Sequence, residues 1–139
     1  PWQHVLEPLG GYLLLAVNLK HRSELHGEAF NFGPNSVDNH SVRYLVQSLA
    51  KKWGGAKWTE INEETTEREA GLLQLNCDKA LYFLCWRPML GFDRTLNWTA
   101  KWYVDFTKKP EGSKSLMLEQ IKEYQTIVGK ADHYWGQQR

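Results

Sequence analysis

Thr66-Glu67-Arg68-Glu69-Ala70-Gly71-Leu72-Leu73-Gln74-Leu75-Asn76-Cys77-Asp78-Lys79-Ala80, running on to Leu84-Cys85-Trp86-Arg87-Pro88, is the stretch around which the rest of the chain is organised. Leu72 to Leu75, interrupted only by Gln74, reads as a brief, largely buried strand. Asn76 and Asp78 offer short side-chain oxygens that can cap the helix that follows by accepting from a free first-turn N–H. Ala80, Leu81 and Leu84 fall on one face of that helix. Pro88 forbids its continuation and pushes Arg87 towards extended geometry. Arg68 and Glu69 stand side by side where an extended chain meets the surface. There an arginine fork can grip a phosphate and a carboxylate can take sugar hydroxyls; the plainer reading is a surface pair of little energetic consequence.

The same residues carry a resemblance. A strand, the helix start Leu75-Asn76-Cys77-Asp78-Lys79-Ala80, the exit Leu84-Cys85-Trp86-Arg87-Pro88 and an amphipathic helix from Thr95 to Tyr103 resemble the end of extended short-chain dehydrogenases/reductases acting on nucleotide sugars. Pro1-Trp2-Gln3-His4-Val5-Leu6-Glu7-Pro8-Leu9, Tyr12 to Ala16, Asn31-Phe32-Gly33-Pro34-Asn35 and Glu119 to Tyr124 extend it over nearly the whole chain, with Trp2-Gln3-His4 the specific part. The resemblance implies a mixed, helix-rich α/β fold: the C-terminal substrate-binding part, about five helices with a few short strands, without the Rossmann dinucleotide-binding half. Residues 1–109 would form the nucleotide-sugar-binding domain, and 110–139 a linker, a last helix and a tail. It implies an NAD-dependent lyase acting on a CDP-hexose, with NAD held upstream and no cofactor, metal or catalytic residue in this chain. Its implied partners are an N-terminal Rossmann half and, through apolar surface left open, a second copy. The implied substrate-binding residues are Trp2, Gln3, Asn35, Arg68 and Glu69.

The sequence departs from the family pattern in four places. Positions 68 and 69 are usually His-Glu preceded by Pro, and here they are Arg68-Glu69 preceded by Glu67. Asn76 replaces an Asp. Cys85 replaces the Gly that ends the short helix, where left-handed backbone geometry favours Gly. The arginine that precedes the first Pro in the family, implied to hold the diphosphate, lies outside this sequence, which opens without Met as though cut from something longer. Two other readings stand beside the enzyme: a stand-alone interaction module of the same fold, or a related epimerase or dehydratase. Against the last, such relatives carry Asp-aromatic-x-His where this chain has Trp2-Gln3-His4.

Bulk properties narrow the classes. A chain of 139 residues with 42% apolar content and seven tryptophans can bury a core without disulfides or metals. A net charge of +1 lacks the basic stripe that nucleic acid requires, and Lys51-Lys52 and Lys108-Lys109 suit helix C-termini. Cys77 and Cys85 match no metal motif, would need awkward geometry to pair, and fit a reduced cytoplasmic protein. Leu13 to Val17 is far too short to span a bilayer, and no signal peptide is visible. Asn97-Trp98-Thr99 matches a glycosylation acceptor by chance. There is no Gly-rich strand-to-helix turn and no Tyr-x-x-x-Lys pair.

In chain order, Pro1 to Val5 reads as extended and Pro8 as first-turn residue of a helix that is apolar almost all round to Leu19, which needs cover on two sides. His4 could be a general base, but no carboxylate stands at a telling spacing, so packing or hydrogen bonding is the better reading. Residues 28–32 and 56–61 read as strands, the first closed by Gly33-Pro34-Asn35 and left as an exposed edge in isolation. Val42, Leu45, Val46, Leu49 and Trp53 form the core stripe of a helix opened by Asn39 or Ser41 and closed by Gly54-Gly55. Glu60, Glu63, Glu64 and Glu67 make a solvated acidic loop rather than a cation site. Phe92, Leu96, Thr99, Tyr103 and Phe106 mark the next helix, capped by Asp93, with Trp98 and Trp102 spaced to stack as packing. Residues 108–113 read as a hinge-like linker. Met117, Ile121, Tyr124 and Val128 form a thin stripe suited to docking on a partner, and beyond Gly129 the tail is loose apart from Tyr134-Trp135.

Overall fold

Helix α1, Leu6–Leu19, begins with Pro8 in its first turn, where a missing N–H costs nothing; the computed structural model describes residues 2–61 and 73–131. Glu7, Gly10, Gly11, Leu14 and Asn18 line its buried side. Gly11 is there for space: a Cβ would stand 2.4 Å from the Phe32 ring. Around that contact sits the first core, Leu14, Leu25, Phe32, Ala80, Leu84 and Trp86, with the Phe32 and Trp86 rings edge-to-face at 5.0 Å. Helix α3, Asp78–Leu84, contributes Ala80 and Leu84 to it. The N-cap is Cys77, without a side-chain cap bond; Asn76, one residue ahead of it, satisfies the first-turn Asp78 N–H through Oδ1 at 2.9 Å, while the Asp78 carboxylate accepts from Asn76 Nδ2. Cys85 takes the left-handed conformation, φ 52°, and the Trp86 N–H closes back on the Ala80 carbonyl at 3.2 Å. The exit is therefore unremodelled, and Cys85 bears the strain of a non-Gly residue there, about 1 kcal/mol.

Helices α4, Phe92–Lys108, and α5, Ser113–Gly129, are joined by a 3-10 turn at Pro110–Gly112. They pack around Leu90, Trp98, Tyr124 and Val128, the second core. Helix α2, Val42–Lys52, rests on α4. Ser41 Oγ accepts from the Tyr44 N–H, and Gly54 and Gly55 at φ 91° and 86° end the helix as read from the sequence.

Several expectations give way. Among the described residues there is no strand: 28–32, 56–61 and 73–75 are irregular, and Leu72 lies outside them. Segments 31–33 and 76–77 do come side by side, but Asn31 Nδ2 donates to the Asn76 carbonyl and the Gly33 N–H to Cys77 Sγ. Side-chain bonds take the place of the reciprocal backbone ladder that defines a sheet. The α2 stripe is not core: among the described residues no α2 side chain is buried and Val42 is 54% exposed, because periodicity fixes which face is apolar but not how much of it its neighbour α4 covers. Leu81 faces outwards. Asp93 sits inside the first turn of α4, behind Gly91, and pairs with Lys52 at 3.4 Å. Trp98 and Trp102 part company: Trp98 meets the His4 ring edge-on at 5.4 Å, and Trp102 stacks on Phe106 at 5.0 Å. Helix α5 buries Leu116, Gln120, Tyr124 and Val128, so Met117 and Ile121 lie off its core face. Residues 108–113 run through the 3-10 turn packed on α4. Arg68, Glu69, three of the four acidic-loop glutamates and Tyr134-Trp135 fall outside the described residues.

Candidate functional site

The 33–36 turn, residues 74–78 and the exit 86–88 wall a polar cleft of about 450 Å³. Gly33 permits the approach of the first two, since a Cβ there would stand 3.1 Å from the Leu75 side chain. The cleft gathers Asn35, Ser36, Asn76, Asp78 and Arg87, a set of amide, hydroxyl, carboxylate and guanidinium groups suited to a polyhydroxylated, anionic ligand. Cys77 also lines it; burial pushes its thiol up, which leaves it protonated and inert at neutral pH. Both cysteines are free thiols.

Of the five residues selected from the sequence, Asn35 alone among the described ones lines this cleft. Trp2 Nε1 donates to the His40 carbonyl at 2.9 Å and Gln3 Nε2 to the Phe32 carbonyl at 2.8 Å. Both tie the N-terminal segment to the 32–40 region that carries Asn35, and neither side chain reaches the cleft. Arg68 and Glu69 lie outside the described residues. Sequence reasoning passed over Arg87, reading it for backbone geometry. The available signal was its place between an aromatic core residue and a proline.

Glu7 is the other residue the sequence reading missed. It is 0% exposed, and its Oε1 accepts the Met89 and Leu90 N–H groups at 2.8 and 2.6 Å while Oε2 accepts the Tyr124 hydroxyl at 3.0 Å. One carboxylate thus fastens α1 to both the 89–90 turn and α5. Burial raises its pKa, opposed by those three donors, and burial beside Glu7 drives the Tyr124 hydroxyl far up, so Tyr124 remains a donor. His4 is buried against Trp98, and burial lowers its pKa; a neutral, enclosed imidazole fits the packing role.

Other hollows lie among the described residues. One of about 680 Å³ is lined by His40, Tyr44 and Phe92 with Asp38, Arg94 and Asn97. Another, about 530 Å³, is an apolar groove between α1, α4 and α5 holding Leu9, Trp102, Met117 and Ile121. No three His, Cys, Asp or Glu side chains among the described residues converge as metal ligands, and Glu60 is paired with Arg43 at 2.6 Å. No helix among the described residues is long and apolar enough to cross a membrane. Gly11 makes room for the Phe32 ring inside α1, a packing role rather than a phosphate turn.

No protein-family model matches the chain. Over 104 residues it is 39% identical to CDP-glucose 4,6-dehydratase of Salmonella typhimurium, a match that covers 74% of this chain and 29% of that protein. The chain therefore spans under a third of the curated relative it matches. Motifs and identity agree: the chain is similar to CDP-glucose 4,6-dehydratase, over an extent consistent with the C-terminal portion of that enzyme.

Proposed function

We propose that this chain is the substrate-side part of an NAD-dependent CDP-glucose 4,6-dehydratase, a lyase of cytoplasmic deoxysugar biosynthesis leading to products such as lipopolysaccharide O-antigen sugars. The observation that carries this reading is the 39% identity to CDP-glucose 4,6-dehydratase; the polar cleft bearing Asn35 agrees with it. In this reading residues 1–109 hold the CDP-hexose, and 110–139 support them from behind. Asn35 faces the ligand, Arg68 and Glu69 join it, and Trp2 and Gln3 hold the 32–40 region in place from below. Conversion of CDP-glucose to CDP-4-keto-6-deoxyglucose belongs to an N-terminal Rossmann half, and the chain is inactive alone. The outer side of α1, with Val5, Leu9, Tyr12, Leu13 and Val17 exposed, is apolar enough to pack against such a half.

Calorimetric titration of CDP-glucose into the 139-residue chain tests the reading. Saturable heat without product, even with NAD added, is the expected result. Absence of heat at millimolar CDP-glucose with a folded chain would defeat it. One observation favours a second reading, a non-catalytic interaction module: Trp2 and Gln3, the specific part of the motif, are spent on backbone carbonyls. The module gives no heat with the nucleotide sugar but sediments as an oligomer.

A further inference from the structure

We infer that Arg87 is a diphosphate anchor of the sugar-nucleotide cleft, a binding residue whose guanidinium meets the ligand's charged linkage; this rests on the function proposed above. Three observations converge on it. Arg87 lines the polar cleft together with Asn35 and Asn76. Arg87 is exposed and makes no hydrogen bond or ion pair among the described residues, whereas Arg22 is committed to the Phe83 carbonyl and Glu24, and Arg43 to Glu60. Asp78 lines the same cleft and is not within ion-pair distance of Arg87, its carboxylate being engaged by Asn76 Nδ2 at 3.0 Å.

Backbone placement adds to this. Trp86, 1% exposed and locked edge-on against Phe32, precedes Arg87, and Pro88 follows it. The residue before a proline is confined to extended geometry, so the base of the Arg87 side chain is fixed before a ligand arrives, and binding need order only the side chain itself. An unspent guanidinium at a fixed point is the group that planar, bidentate phosphate recognition calls for. Trp86 Nε1, a second donor without a partner, lies within the same wall. The chemistry divides accordingly: Arg87 for the diphosphate, and Asn35, Asn76 and Asp78 for sugar and ribose hydroxyls.

The test is calorimetry of CDP and CDP-glucose with the 139-residue chain and with Arg87→Ala and Arg87→Lys. Losing a charge-assisted phosphate bond weakens binding roughly 10- to 100-fold. Arg87→Ala is expected to weaken both ligands by that factor and to flatten the dependence of affinity on salt. Arg87→Lys is expected to recover part of the affinity, as a point charge without the fork. Thermal unfolding of both variants is expected to match the parent, because Arg87 is exposed and makes no hydrogen bond or ion pair among the described residues. Binding by the parent with an Arg87→Ala affinity within twofold overturns the assignment of Arg87 and leaves the proposed function standing. No binding by the folded parent overturns the proposed function and this inference with it.

Discussion

Replacing Glu7 is the perturbation that most directly questions how this molecule is held together. Its carboxylate is fully enclosed and receives three donors, the Met89 and Leu90 N–H groups and the Tyr124 hydroxyl. Glu7→Ala leaves all three without a partner in a site that water reaches poorly. An unsatisfied buried donor costs about 1–3 kcal/mol; with some relaxation of the 89–90 turn, the variant is expected to lose about 3–5 kcal/mol. Domains have only about 5–15 kcal/mol in total, so much of the fold's stability rides on this residue. Glu7→Gln keeps one acceptor oxygen for the two backbone groups and obliges Tyr124 to meet an amide, a loss of about 1–2 kcal/mol. Urea unfolding followed by tryptophan fluorescence reads both. A loss below about 1 kcal/mol for Glu7→Ala, or equal losses for Ala and Gln, would refute the account. A pH series sharpens the test. Burial holds the folded-state pKa of Glu7 above the ordinary 4.5, so the native state binds this proton more tightly than the unfolded chain does. Its contribution is full below pH 4.5 and is lost as pH rises through the folded-state value. Glutamine has no such proton, so the stability gap between parent and Glu7→Gln is expected to narrow as pH increases from 4.5.

Gly11→Ala drives a methyl into the Phe32 ring; overpacking of about 1–3 kcal/mol exceeds the helix-propensity gain of about 1 kcal/mol, so the melting temperature should fall, whereas Gly112→Ala, with nothing within 4 Å of the new atom, should not lower it. Cys85→Gly removes left-handed strain of about 1–2 kcal/mol at an entropic cost of about 0.5–1 kcal/mol, a net gain of about half a kcal/mol by chemical denaturation. Cys85→Val at the same position should destabilise, and equal stability of the Gly and Val forms would remove backbone strain as the explanation.

Much of the helical framework was legible because its signals are local. Ser41 before an apolar period and two glycines after it mark both ends of α2, and Pro8 marks the start of α1. The loss of Gly at position 85 left two outcomes open, a remodelled exit or a strained Cys85, and the φ of 52° decides for the second. Depth of burial was not legible. The α2 stripe has perfect spacing yet stays half-covered, and α5 turns Leu116 and Gln120 inwards where Met117 and Ile121 looked equally suitable. The cleft divides the same way: Asn35 was selected through the resemblance carried by residues 31–35, while Arg87 is brought beside Asn35 and Asn76, 52 and 11 positions earlier in the chain, only by the fold.

By itself the sequence determined the first turn of α1 and both ends of α2, that no basic stripe or membrane-length run is present, and which enzyme the chain resembles. Those properties reside in neighbouring residues or in one ordered string. Only the tertiary structure decided that 31–33 and 76–77 meet through side chains rather than a ladder, that Trp2 and Gln3 bond to backbone, and that Glu7 serves as a buried fastener. Each of these depends on which groups are brought together from distant parts of the chain and on how far water is excluded from them, and neither quantity is written in local spacing.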